Sequence, residues 1–292
     1  MTININQTGF RDRREWLATH LRNTDQKAVQ LKTIIDKLKK DFSSVWSRIQ
    51  DHNYEFIGVL IGAASGGLEI PLIQEFITAR GNKKNFGFFA EDISPVMKEE
   101  FCSLASCLNL KDTIKSYDLS PFENPKYSPP LADFILASHS WYYISSWREE
   151  PRQTNALVKF TELLKSNSVG LINLQSVKSD RFKLLSNYLS MAGSYIEISS
   201  EDVTSELNKL GIKHETNIVD SHSNLSCCFE NGKFNPNTEG KMLLSFWLRN
   251  WWDDIPSKVQ QSLIKDLKSI VEKNNKEELI LRDAYIWVSN IT

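Results

Sequence analysis

Cysteine is scarce. The chain has four, Cys102, Cys107, Cys227 and Cys228, with no CxxC pair among them. Adjacent Cys227 and Cys228 suit neither a zinc centre nor an ordinary disulfide. A disulfide-stapled secreted fold is therefore excluded, no metal site is expected, and the thiols are read as reduced packing residues. A basic excess is lacking too: 35 Lys and Arg stand against 36 Asp and Glu, for a net charge of -1. Nucleic-acid binders usually carry such an excess. No apolar run approaches the roughly 20 residues that span a bilayer. The opening stretch MTININQTGFRDRREW holds no apolar h-region of a secretory signal. Neither an internal repeat nor a low-complexity segment interrupts the chain. These absences lead to an expected cytoplasmic protein that engages no nucleic acid and no membrane.

What is present begins with size. The 292 residues are enough for one large domain or two small ones and for a sizeable core. Residues 55–79, EFIGVLIGAASGGLEIPLIQEFITA, organise the rest. An apolar strand at 56–61 runs into a turn made only of small residues, 62–67. Leu68, Ile70, Leu72, Ile73, Phe76 and Ile77 then recur at helical spacing. Small residues let a ligand approach the backbone, and a helix N-terminus offers N–H groups and a partial positive charge. The other reading is a tight strand-to-helix packing turn. The turn is not a phosphate-cradling GxxxxGK[ST] loop, since no Lys-Ser or Lys-Thr follows Gly67, and Ala64 stands where a GxGxxG motif has its middle glycine.

Residues 10–51 read as helical, with Asn23-Thr24-Asp25 as a cap between two helices. A second strand at 85–90 ends in Glu91-Asp92, and Ser94-Pro95 starts the next helix. An acidic residue just past the second strand of such a unit accepts both hydroxyls of a ribose. Asp92 lies 26 residues after Gly66, where the usual spacing is ~20; the long first helix and the Gly81-Asn82-Lys83-Lys84 connection account for the excess. The ribose role is favoured for Asp92 over simple helix capping. A third strand, 113–117, ends at Asp118. After the Pro-rich link 120–130, a buried strand at 132–138 runs into His139-Ser140-Trp141-Tyr142-Tyr143, at the sheet edge where open α/β folds bind ligands. Then follow a helix at 155–165, a strand at 169–174, and helices at 181–191 and 200–210, the latter with a weakened capping box from Ser200 to Val203. Strands at 213–219 and 225–229, helices at 240–252 and 257–272 and a last strand at 284–291 complete the chain. This alternation predicts a mainly parallel sheet with helices on both faces.

In order and spacing these motifs resemble class I S-adenosylmethionine-dependent methyltransferases. Gly62-Ala63-Ala64-Ser65-Gly66 matches the family's first motif, whose backbone contacts the methionine part of the cofactor, with Ala64 replacing the usual middle glycine. Asp92, followed by Ile93, matches the acidic residue that holds the ribose. Asp118, followed by Leu119, matches the residue near the adenine amine. Residues 134–143, including Ser138, match the fourth strand and the loop beside the reacting methyl. The resemblance covers residues 55–220 by motif order and the whole chain by architecture. It implies S-adenosyl-L-methionine as cofactor and an α/β, Rossmann-like, mostly parallel sheet of about seven strands with helices on both faces. The implied organisation is an N-terminal helical cap, 1–52, ahead of a methyltransferase domain, 53–292. A helical insertion at 231–275, before the last strand, would form part of the substrate side.

Within that superfamily the chain is most similar to histamine N-methyltransferase-like enzymes. The similarity rests on the N-terminal helices, on Ser138-His139-Ser140-Trp141-Tyr142-Tyr143-Ile144, and on the helix and turn from Ser200 to Ile212. In histamine N-methyltransferase a glutamine that touches substrate stands where His139 stands. The resemblance thus puts His139 at the substrate and leaves the substrate's identity open. That enzyme's N-terminal helix also carries an acidic residue on the amine, and Glu15 is the nearest equivalent.

Methyl transfer from a sulfonium is an in-line displacement that asks the protein for positioning and a water-poor wall. Trp141, Tyr142 and Tyr143 are the expected wall. Trp247, Trp251 and Trp252 either extend it or pack a helix face. His139 is the expected catalytic residue, orienting the acceptor or taking its proton. The expected acceptor is a small molecule or a modified peptide, methylated at N or O, and the expected assembly is a monomer or weak homodimer. Two other readings stay open. One is an NAD-type oxidoreductase, opposed by the glycine pattern and the lack of a hydride-site constellation. The other is a non-catalytic methyltransferase-like binding module, opposed by Asp92 and the small-residue loop.

Overall fold

The computed structural model describes residues 10–144, 154–191 and 198–290. Three helices, α1 (Phe10–Arg22), α2 (Gln26–Lys40) and α3 (Ser43–Gln50), precede the first strand. The alternating part runs β1 (Phe56–Ile61), α4 (Glu69–Arg80), β2 (Phe86–Glu91), α5 (Pro95–Cys107), β3 (Ile114–Asp118), β4 (Ala132–Ser138), α6 (Asn155–Glu162), β5 (Leu164–Gln175), α7 (Asp180–Met191), α8 (Ser200–Lys209) and β6 (His214–Asn224). A small hairpin, β7 (Phe229–Glu230) and β8 (Lys233–Phe234), is followed by α9 (Thr238–Leu248), α10 (Ser257–Asn274) and β9 (Glu278–Ser289). The sheet has seven strands in the order β3-β2-β1-β4-β5-β9-β6. It is the mostly parallel, helix-flanked α/β sheet expected from the alternation. In β1, Phe56, Val59 and Leu60 have no solvent exposure; strands covered on both faces read as unbroken apolar runs. The parallel register sets Val59 between Phe89 and Ile135, and Ile61 between Glu91 and Ala137. Strand order reverses between β1 and β4, which places a crevice beyond their carboxyl ends.

Residue contacts divide the chain into two compact units, each assembled from three segments. The first comprises Met1–Lys27, Gln175–Glu197 and Val219–Asp283, and its core includes Leu185, Leu225, Leu243, Trp247 and Leu263. The second comprises Ala28–Leu174, Ile198–Ile218 and Ala284–Thr292, with Val59, Ile135, Phe160, Ile172, Val203 and Ile286 in its core. This division does not fall at residue 52: α3 and most of α2 belong with the sheet's second unit. None of the described helices is long and apolar enough to cross a membrane.

Several boundaries differ from expectation, each for a local reason. The helical stretch before β1 breaks at Phe42, which leaves helical geometry and buries its ring, so three helices stand where two were expected. β5 starts at Leu164, earlier than expected: polar residues 165–168 join the strand around a left-handed Asn167 at φ +56, where the register with β4 shifts between Ala132 and Phe134. The α8 cap lies one residue earlier than expected. Ser199 Oγ accepts from the Asp202 N–H at 3.2 Å and the Asp202 carboxylate accepts from the Ser199 N–H at 2.8 Å, a complete capping box. α9 ends at Leu248, with Arg249 in left-handed geometry at φ 57, so Trp251 is not on that helix.

Candidate functional site

The turn after β1 is held from below by the end of β2. The Gly62 N–H donates to Glu91 Oε1 at 2.9 Å, the Ala63 N–H to the Glu91 carbonyl at 2.9 Å, and the Ala64 N–H to Asp92 Oδ2 at 3.1 Å. Gly62 has φ +60, and a Cβ there would stand 2.3 Å from Ser140 Cβ, so only glycine lets the loops after β1 and β4 meet. Ala64, where the resemblance expects glycine, is also left-handed, at φ 45. Its carbonyl accepts from the Tyr117 hydroxyl at 2.8 Å. Burial raises the Tyr117 phenol well above its ordinary range, so this donor stays protonated. Glu91 is 3 % exposed. Its burial lifts the carboxyl from 4.5 to about 8; the Gly62 N–H opposes the shift and the Asp92 charge adds to it. The next turn is closed likewise: the Leu68 N–H donates to Glu69 Oε2 at 3.1 Å and the Ile70 N–H to the Gly66 carbonyl at 3.0 Å. Side-chain oxygens of Glu91, Asp92 and Glu69 thus take the Gly62, Ala64 and Leu68 N–H groups, donors that a bound anion would otherwise compete for.

Asp92 bridges the loop and the next helix. Its Oδ1 accepts from the Ser94 N–H at 2.9 Å while Oδ2 holds Ala64. A carboxylate has about four lone-pair sites, so Asp92 keeps capacity for hydroxyl donors. The Asp92 N–H donates to the Asp118 carbonyl at 3.1 Å, which brings the ends of β2 and β3 side by side. The Asp118 carboxylate accepts from Ser116 Oγ at 3.0 Å. Beside these acids, Ile93 is 61 % and Leu119 is 47 % exposed. Two exposed aliphatic side chains next to two carboxylates at one sheet edge suit a flat heterocycle with a diol.

Beyond β4, His139 sits at φ +52, in a region where a residue with a side chain is strained and where function tends to collect. Its Nε2 is 2.7 Å from Gln30 Nε2 and its Nδ1 is 2.6 Å from the Tyr142 hydroxyl. Gln30, on α2, also donates to Asn173 Oδ1 on β5 at 2.9 Å, and Ser138 Oγ reaches the same oxygen at 3.5 Å. Tyr142 is buried, whereas the Tyr143 ring is 58 % exposed and stands edge-on to it at 6.1 Å.

Structure and expectation part at other positions. Trp141 is fully buried between Phe160, edge-on at 5.8 Å, and Phe122 at 6.4 Å. It is a core residue and lines no open wall, because the short 3-10 turn after Ser140 swings it inward. Ala63 is also fully buried, with its N–H on the Glu91 carbonyl. Trp247, Trp251 and Trp252 pack within the first unit. Trp247 Nε1 donates to His20 at 3.4 Å, Trp251 stacks on Trp16 at 5.8 Å, and Trp252 tilts against Phe234 at 5.7 Å. Glu15 is exposed on α1 and belongs to the first unit, whereas His139 belongs to the second.

No known family profile and no curated protein sequence matches this chain. Solved structures do. A protein described as a sarcosine dimethylglycine methyltransferase from Galdieria sulphuraria superposes with a TM-score of 0.52 at 13 % identity, over 91 % of this chain and 87 % of that one. The YcgJ protein from Bacillus subtilis gives a TM-score of 0.53 at 13 % identity, over 85 % of this chain and 98 % of that one. The chain has a methyltransferase-type, Rossmann-like fold. At such identity the likeness is one of fold, and function has to come from the site.

Within this fold, four side chains at the site escaped the sequence reading: Gln30, Glu91 as a loop anchor, Tyr117 and Asn173. Gln30 left a faint signal. It lies four residues before Ile34 and eight before Leu38, on the buried stripe of α2, and a polar residue on an apolar stripe needs a partner. Asn173 lies in the apolar run 169–174 of β5, where nothing local names its partner.

Proposed function

We propose that this chain is an S-adenosylmethionine-dependent methyltransferase that methylates a nitrogen or oxygen of a small molecule or modified peptide, acting as a monomer or weak homodimer. The observation that carries the reading is the set of acidic side chains that close the turn after β1. Glu69, Glu91 and Asp92 all accept from its backbone N–H groups. A dinucleotide pyrophosphate would find those donors taken and the Asp92 carboxylate beside them, which counts against the NAD-type alternative. A cationic sulfonium with an adenosine meets no such conflict. The bound cofactor would supply a methyl group on a positively charged sulfur, ready for in-line displacement. Asp92 would hold the ribose hydroxyls through its remaining lone pairs, Ile93 and Leu119 would cover the adenine faces, and Asp118 would take its amine. Gly62, Ala64, Ser65 and Gly66 would shape the approach to the methionine part, with Ser138 at the end of β4 beside it. His139 and Tyr142 would orient the acceptor, and exposed Tyr143 would give it an aromatic face. Glu15 is proposed as a contact to a cationic acceptor.

The test is mass spectrometry of the protein incubated with S-adenosylmethionine and a panel of acceptors. The panel holds imidazole amines, simple amines, peptides with free termini, and sarcosine and dimethylglycine, which the name of the Galdieria protein suggests. A mass gain of one methyl on an amine supports N-methylation, and on a carboxyl group O-methylation. Absence of any product together with absence of cofactor retention would overturn the reading.

A further inference from the structure

The chain of side chains behind His139 has a direction. We propose that Gln30 is a positioning residue that, with Asn173, fixes which nitrogen of His139 carries the hydrogen. Amide and imidazole orientations follow from the network in which they sit. Here one end of the network cannot reverse: the Ala284 backbone carbonyl only accepts. Asn173 Nδ2 lies 3.3 Å from it and donates. Asn173 therefore turns Oδ1 toward Gln30, and the Ser138 hydroxyl approaches that same oxygen. An oxygen at that point requires the Gln30 amide to present Nε2. One of its hydrogens goes to Asn173 and the other points at His139 Nε2, 2.7 Å away. His139 Nε2 then holds a lone pair, and its hydrogen lies on Nδ1, donated to the Tyr142 oxygen at 2.6 Å. All six groups belong to one compact unit, and Gln30, Asn173 and Ser138 are buried. The geometry is thus insulated from water that would otherwise scramble its polarity.

Two consequences follow for the proposed reaction, and these rest on the methyltransferase reading. The Nε2 lone pair is engaged by Gln30, so His139 orients and does not collect the acceptor's proton. The Tyr142 oxygen accepts from the ring, which turns the Tyr142 O–H hydrogen away from His139.

The tautomer is read directly from long-range proton–nitrogen correlations of the full-length protein labelled at histidine nitrogens. Its five histidines allow assignment by a His139→Gln control. The expected wild-type result is a protonated Nδ1 and a bare Nε2. Gln30→Glu offers only acceptors to Nε2, so the hydrogen should move there. Turnover should drop by about tenfold, the order of one misdirected hydrogen bond, while cofactor affinity stays within about twofold. A wild-type ring protonated at Nε2 overturns the proposal without any variant being needed. So does a Gln30→Glu protein with an unmoved tautomer, or with a moved tautomer and unchanged turnover. The expected tautomers in a protein that retains no cofactor would instead sink the methyltransferase reading and leave the assignment of Gln30 intact.

Discussion

At the level of single residues, the loop after β1 carries both strain and a titrating group. Ala64 holds φ 45, a conformation that costs an L-residue roughly 1–2 kcal/mol and glycine almost nothing, against ~0.5–1 kcal/mol of extra chain entropy lost by glycine. Ala64→Gly is expected to stabilise the protein by up to about 1 kcal/mol, visible as a higher denaturant midpoint. Glu91 is raised from 4.5 to about 8 in the folded protein. Between those values the folded chain keeps a proton that the unfolded chain has released. Its contribution is therefore complete below the ordinary carboxyl range and is lost as pH rises through about 8, at ~1.4 kcal/mol per pH unit. Glu91→Gln still accepts from Gly62 and carries no such titration. Unfolding curves taken from about pH 5 to about pH 8 should show the wild type losing stability relative to the variant; parallel curves would count against a buried, protonated Glu91. Asp92→Ala removes an acceptor for the loop and for the proposed ribose contact. S-adenosylmethionine affinity should fall by at least ~1 kcal/mol in a calorimetric titration, and an unaltered affinity would take Asp92 out of the site.

Among the elements, the Pro-rich link between β3 and β4 depends on one side chain of α6. Lys159 Nζ donates to the carbonyls of Phe122, Asn124 and Tyr127 at 2.7, 2.9 and 2.6 Å. It also lies over the Phe122 and Tyr127 rings at 5.1 and 5.2 Å. Burial pulls the proton affinity of this ammonium down, and the charges of Glu91 and Glu123 oppose that effect. Three carbonyls on one cation shape a segment that its prolines bar from helix and central strand. Lys159→Met keeps the stem and deletes the donor. The expected cost is about 2 kcal/mol, together with faster proteolytic cleavage within residues 120–130; protease resistance equal to wild type would show that the link is held by other contacts. Leu119, at the head of this link, is a proposed adenine contact, so the same variant should weaken cofactor binding as well.

On the scale of the whole molecule, each compact unit is discontinuous in sequence. The second unit's core takes Ile198, Val203 and Leu207 from around α8, and Ile286 and Val288 from β9. A fragment spanning 28–174 contains β1 to β4 and the candidate site but lacks those five side chains. It is expected to show no cooperative unfolding transition, and a sharp transition at the stability of the full chain would contradict that. Much of this architecture was legible beforehand. Strand, small-residue turn and helix at 56–80, the acidic ends of the second and third strands, and the buried fourth strand are all signalled by local spacing. Strand ends were less legible: the polar residues 165–168 extend β5 beyond its apolar run, and at 278–283 the charged Glu278, Arg282 and Asp283 flank the buried Leu279 and Leu281.

What the amino-acid order determined by itself is therefore what short-range periodicity, glycine placement and turn chemistry can encode: the alternation, the sheet's carboxyl edge, and Asp92, Asp118 and His139 upon it. Tertiary structure decided the partners. Gln30 meets His139 across 109 positions and Asn173 across 143. Such bonds leave no local pattern, since a glutamine in a helix reads the same whether it faces water or an imidazole. Burial was likewise settled only in three dimensions. It turned Trp141 into core, lifted the Glu91 carboxyl toward neutrality, and placed α1 in one unit and most of α2 in the other. Those outcomes depend on what packs against each side chain, and that is set by elements far away in the chain.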